Sequence, residues 1–153
     1  MAVTLVPVTP PEYDDFFAMF ADYHNELDAF DRHAEDNPWD PEGYRRAVMD
    51  DMDGREISWV LAEGERAGFL VVRVFPDFPD GSRDVASIAE FYVLPAYRRR
   101  GVGRAAVEAL LADHRERGTF EVEAGILDGN APAKAFWGAL GFDVRSIVTA
   151  RRP

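Results

Sequence analysis

A chain of 153 residues, 47% of them hydrophobic, is long enough for one domain, residues 1–153, with a buried core of its own. Its formal net charge of −11 argues against a nucleic acid partner, because phosphate binding needs clustered Lys and Arg. The absence of cysteine excludes a disulfide framework, thiolate metal sites and a cysteine nucleophile. No apolar run approaches the ~18 residues of a membrane span, and the start MAVTLVPVTPPEYDD carries no basic segment or cleavage site, so a cytoplasmic location is expected. The charge is also uneven. Residues 1–60 hold 15 Asp and Glu against 4 Lys and Arg, while residues 61–153 hold 13 of each. Either the first 60 residues present a solvated acidic face, or they form an acidic mouth that attracts a cationic small molecule.

In chain order, VTLVPV (Val3 to Val8) reads as a strand. Thr9, Pro10 and Glu12 then fit a capping box at N-cap, N1 and N3. The helix they open is expected to run to about Phe30, with Phe16, Phe17, Phe20, Tyr23 and Leu27 on its inner face. Asp40 and Pro41 open a second helix. EISWVLAE and AGFLVVRVF flank GER as a hairpin, and VASIAEFYVL is the next strand. After the arginine–glycine turn a helix runs to about Gly118, which suits its C′ position. FEVEAGIL is a strand, Asn130 caps a short helix, and FDVRSIVTA is the last strand. The order β-α-α-β-β-β-α-β-α-β predicts an α/β (α+β) domain, a mixed sheet with helices packed on it.

The segment YRRRGVGR carries the clearest chemistry. If Gly101 and Gly103 begin a helix, its first backbone N–H groups lack partners and point outward at the positive end of the macrodipole. Glycine lets a ligand approach that backbone closely. Arg98, Arg99, Arg100 and Arg104 add like charge at the same end, and a bound polyanion such as a pyrophosphate resolves the repulsion. GVGRAA also matches the dinucleotide fingerprint, with Glu121 at the expected distance from Gly101. Its context is wrong, because PAYRRR separates the glycines from the strand and a hairpin precedes that strand.

Strand alternation places Ile88, Glu90 and Tyr92 on one face, and Ala89, Phe91 and Val93 on the other. A carboxylate in a central strand is costly when buried unpaired, and desolvation makes it a better base. Glu90 is therefore read either as a base or as the partner of an arginine such as Arg73 on the neighbouring strand.

VLPAYRRRGVGRAAV resembles the acyl-CoA signature R/Q-x-x-G-x-G/A of the GNAT superfamily of N-acetyltransferases, with Arg98, Gly101 and Gly103 at the defining positions. NAPAKAFWGALGF resembles a second motif of that family through Asn130, Ala133, Gly141 and Phe142. SIAEFYVLPAYRRRGVG is similar to bacterial acetyltransferases of unassigned substrate. The resemblance implies a mostly antiparallel sheet of six to seven strands, a parallel, splayed pair of fourth and fifth strands, and about four flanking helices. It implies acetyl-CoA as co-substrate, its pyrophosphate on the backbone from Arg99 through Val102 to Arg104 and its pantetheine along Val93 and Leu94. Asn130, Ala133, Phe136 and Trp137 would line the other side. The acyl group would pass directly to an amine of a small molecule or peptide, with Glu90 and Tyr92 as the catalytic groups.

Trp137 departs from the pattern, because much of the family has there a tyrosine that protonates the leaving thiolate, and an indole N–H is too weak an acid. That substitution keeps a non-catalytic acyl-CoA-binding module as the alternative. Tyr23, His24, Glu26, Asp28, Phe30 and Tyr44 are candidate acceptor-pocket residues, and His24, His33 and His114 show no metal-ligand spacing, so no metal is expected. Only 12 residues follow Gly141, enough for one strand, which leaves the sheet short or its edge completed by a second subunit in a homodimer.

Overall fold

The computed structural model describes residues 1–153. Strand β1 (Val3–Pro7) leads into the capping box, where the Thr9 backbone N–H and hydroxyl both donate to Glu12 Oε1, at 3.0 and 2.8 Å. These bonds hold the Glu12 carboxyl at about 2. Its other oxygen accepts from Trp59 Nε1 at 3.1 Å and from Arg66. A single 3₁₀ turn, Pro10–Glu12, precedes α1 (Tyr13–Asp28). Helix α2 (Pro41–Asp50) is capped by Asp40, whose Oδ1 accepts from the Gly43 N–H at 3.0 Å.

The hairpin β2 (Arg55–Ala62) and β3 (Glu65–Pro76) is followed by β4 (Asp84–Val93), α3 (Val102–Glu116), β5 (Glu121–Ala124) and α4 (Ala131–Ala139). Gly118 closes α3 at φ 75°, as its place in the sequence predicts. The sheet runs β1-β2-β3-β4-β5, antiparallel except for β4 and β5. That parallel pair holds register from Val85–Glu121 to Ile88–Ala124 and then parts.

Each face of the sheet has its own core. On one, Leu70, Val72, Ala86 and Ile88 pack under Val102, Ala106, Val107 and Leu110 of α3, with Trp137 of α4. On the other, Phe16 and Phe20 of α1 and Val48 of α2 cover Ile57, Trp59, Phe69, Val71 and Tyr92. Phe16 packs edge-on against both Trp59 and Phe69, at 6.2 and 5.1 Å between centroids. Burying each such ring stabilises the fold by roughly 1.5–3 kcal/mol.

The sheet has five strands, not the six to seven expected. Phe142–Ala150 forms no strand, and residues 143–153 make no backbone–backbone hydrogen bond. Its apolar pattern falls out of step, because Ser146 stands where alternation from Phe142 and Val144 requires an apolar residue and Ile147 falls on the opposite face. Val144, Ile147 and Val148 are 82%, 84% and 93% exposed, and Arg145 reaches Glu121 of β5 only through its side chain, at 2.6 Å. Strand β5 stops at Ala124, before Gly125, rather than continuing to Leu127. No helix is long and apolar enough to cross a membrane.

Candidate active site

The face that Glu90 occupies is set by one extra residue. Val71 pairs with Glu90, yet Val72 pairs with Ile88, so Ala89 is a β-bulge in β4. Ile88 therefore lies in the α3-side core with Phe91 and Val93 packed beside it, while Tyr92 lies in the α1-side core. The expectation that Ile88 shares a face with Glu90 and Tyr92 is corrected accordingly: simple alternation fails across a bulge.

On the α1 side, the Tyr23 hydroxyl donates to Glu90 Oε2 at 2.6 Å. Burial raises the Glu90 carboxyl above its ordinary value, while the Tyr23 bond and the positive charge of Arg55 pull it back. Arg73 is not its partner: it bonds Asp51 at 2.9 Å, and the paired neighbour of Arg73 on β4 is Ser87. Tyr92 is buried, with its ring 5.7 Å from that of Tyr23, and its phenol is raised by burial and by the nearby Glu26 carboxylate. Tyr44 is raised by burial and by Glu90. His24 stacks on Trp39 at 4.0 Å and lies 3.5 Å from Asp28, while Phe30 stands half-buried just beyond α1.

At the end of β4 the Leu94 N–H donates to Ala67 O at 2.8 Å, so Leu94 faces β3. By alternation the Val93 amide faces the side from which β5 has departed. There the Val93 carbonyl accepts from Arg98 Nε at 2.8 Å. The guanidinium of Arg98 also donates to both oxygens of Glu26, at 3.0 and 2.6 Å, and lies 5.4 Å from the Tyr92 ring. One side chain thus ties α1 to the end of β4. Arg98 lowers the Glu26 carboxyl, so the pair's contribution is complete above the ordinary value of 4.5 and is lost as pH falls through the depressed one. Glu26→Gln is expected to cost on the order of 0.5–1 kcal/mol, as for other solvent-screened pairs, read as a lower urea midpoint at pH 7 that converges with wild type in acid.

Beyond Arg98, Arg99 and Gly101 take positive φ, 60° and 79°, and α3 starts at Val102. No backbone N–H from Arg99 to Arg104 donates to a carbonyl within the chain. Six consecutive donors without an intrachain acceptor at a helix N-terminus are a set that an anion can satisfy. Arg99 and Arg100 are exposed, the latter 5.6 Å from the Tyr97 ring, and Arg104 bridges Glu108 and the Ala139 carbonyl at 3.2 and 3.3 Å. A Cβ on Gly103 would lie 3.3 Å from Phe136, so glycine lets α3 and α4 meet here.

Asn130 Oδ1 accepts from the Ala133 N–H at 3.1 Å, which makes Asn130 the cap of α4. Ala133 and Phe136 pack against the α3-side core, and Trp137 is buried among Phe91, Phe136 and Phe142 at 5.8, 5.0 and 4.9 Å. Trp137 is a core anchor whose indole N–H has no acceptor within the chain. The sequence reading missed Ala67 and Gly68, which brace the end of β4; a glycine inside an apolar strand was the available signal. It named Tyr23 as a pocket residue, and nothing in the sequence pairs it with Glu90.

A curated relative, the mycothiol acetyltransferase of Saccharomonospora viridis, is 34% identical over 120 residues, 75% of this chain and 39% of its own length. The aminoglycoside N(6′)-acetyltransferase type 1 of Stenotrophomonas maltophilia is 32% identical over 106 residues, 67% of this chain and 69% of its own. The chain therefore spans well under half of the first relative. An aminoglycoside N-acetyltransferase solved in complex with CoA has the same fold, with a TM-score of 0.70 at 18% identity over 99% of this chain and 95% of that one. The acetyltransferase (GNAT) family model matches residues 14–142, from α1 to the turn after α4, and the chain belongs to that family.

Proposed function

We propose that this protein transfers an acetyl group from acetyl-CoA to a primary amine of a small molecule or peptide, by direct attack in a ternary complex. The observation that carries the reading is Glu90, half-buried and hydrogen-bonded to Tyr23, at the point where β4 and β5 part. The donor set from Arg99 to Arg104 takes the CoA pyrophosphate, and pantetheine lies along Val93 and Leu94, with the Val93 amide aimed at the thioester carbonyl. Family membership and the CoA-bound fold neighbour support that cofactor.

An acceptor ammonium first loses its proton to Glu90, directly or through a water. The amine nitrogen then attacks the thioester carbonyl carbon, the C–S bond of the tetrahedral intermediate breaks with its electron pair leaving on sulfur, and the nitrogen gives up its second proton, through water, to the departing thiolate. A thiolate with a pKa of ~8.5 departs without strong assistance. Tyr92 remains protonated and can donate, although burial and Glu26 make it a weaker acid than a free phenol. The acceptor, small molecule or peptide, is cationic on this reading. Excess acid in residues 1–60 and the amine substrates named for relatives such as the aminoglycoside enzyme support it.

The test is thiol release from acetyl-CoA with a panel of cationic, neutral and anionic amines. Turnover with cationic amines is expected; clear preference for anionic ones overturns the charge argument. CoA binding without turnover across the panel supports the second reading, a non-catalytic acyl-CoA-binding module, which Trp137 in place of tyrosine favours.

A further inference from the structure

We propose that Tyr23 is a positioning residue that aims Glu90 and holds it as the carboxylate, an assignment that rests on the reading of Glu90 as the base. Tyr23 projects from α1, and its ring is fixed by Phe20, Phe69 and Tyr92, at 5.4, 5.6 and 5.7 Å between centroids. So confined, its hydroxyl has one acceptor, Glu90 Oε2 at 2.6 Å. An O–H bond to a carboxylate of that length is charge-assisted and roughly twice as strong as a neutral one.

The other groups that act on Glu90 come from each packed element. Tyr44 of α2 gives it no hydrogen bond, and Arg55 of β2 acts at longer range while bonded to the Asp51 carbonyl at 3.0 Å. On β3 the opposite residue is Val71, and Arg73 is taken by Asp51. Tyr92 of the same strand is coupled to Glu26 and Arg98 instead. Tyr23 is the single direct donor to the carboxylate.

The sign follows. Burial favours the protonated acid and the Tyr23 bond favours the carboxylate, so losing the hydroxyl moves the titration of Glu90 to higher pH. The experiment is Tyr23→Phe, which keeps the ring in place. Carbon-13 NMR of the Glu90 carboxyl, assigned by its loss in Glu90→Gln, reads the titration without any substrate. With the best amine from the panel, the acid limb of the kcat/KM profile is expected to move up by the same amount, with a severalfold loss on that limb that shrinks at higher pH. An unmoved Glu90 titration overturns the assignment of Tyr23. A moved titration with an unmoved acid limb leaves Tyr23 in its role and overturns Glu90 as the base. A uniform loss at every pH, with a lowered unfolding midpoint and an unmoved titration, shows a merely structural tyrosine and also overturns the proposal.

Discussion

Glu90→Gln should lower kcat/KM at least tenfold while leaving the folded state as stable as wild type or more so. The two halves come from one cause. Burial raises the Glu90 carboxyl, so the folded state holds the ionised form less willingly than the unfolded chain does. A raised carboxylate lowers stability as pH climbs from the unfolded value of 4.5 through the folded one, and above the folded one that cost is complete. Glutamine removes it and still accepts from the Tyr23 hydroxyl. The same substitution leaves no group on this face of β4 to take a proton from an ammonium of pKa ~10. Calorimetry and steady-state rates on one preparation separate the halves. An unchanged kcat/KM would falsify the role of Glu90, and a markedly lowered melting temperature would instead make it a structural residue.

The second large effect concerns a residue with no side chain. A Cβ on Gly68 would fall 1.9 Å from the Tyr92 carbonyl oxygen and 3.0 Å from Val93 Cα, both backbone. No rotamer change relieves such a contact, so β3 or β4 must move. Gly68→Ala is therefore expected to cost roughly 2–4 kcal/mol, measured as a shift of the urea midpoint. The displaced stretch contains Val93 and Leu94, and CoA affinity by calorimetric titration should fall about tenfold with it. Gly138, a helical glycine with nothing within 4 Å of its Cβ position, is the control. Gly138→Ala should be neutral or stabilising by up to ~1 kcal/mol. Equal effects at the two positions would show that close backbone approach is not what Gly68 provides.

Much of the scaffold is written in local chemistry. The Thr9–Glu12 box, the Asp40 and Asn130 caps and the Gly118 terminus depend on residues three or four positions apart, and each is found where the sequence places it. The donor-rich turn from Arg99 to Arg104 was legible for the same reason, since glycine and helix start define it locally. What was not legible depends on partners distant in sequence. The Ala89 bulge exists because β3 and β4 slip by one residue between Val71 and Val72, and no alternation rule within β4 reports it. Tyr23 meets Glu90 across 67 positions, and Arg98 meets Glu26 across 72. The final strand failed differently: its composition suits a strand, but pairing requires a partner edge, and β5 offers four residues.

Arg98 has a thermodynamic consequence. Its guanidinium grips the Val93 carbonyl, where the cofactor's thioester would lie, and the Glu26 carboxylate on α1, which would border the acceptor. Two ligands that each displace an end of the same fork are energetically linked, and linkage is reciprocal. Whatever factor a bound cofactor adds to the affinity for the amine, the amine adds to the affinity for the cofactor. Severing the fork at Glu26 should bring that factor toward one, so that the two halves of the cleft fill independently.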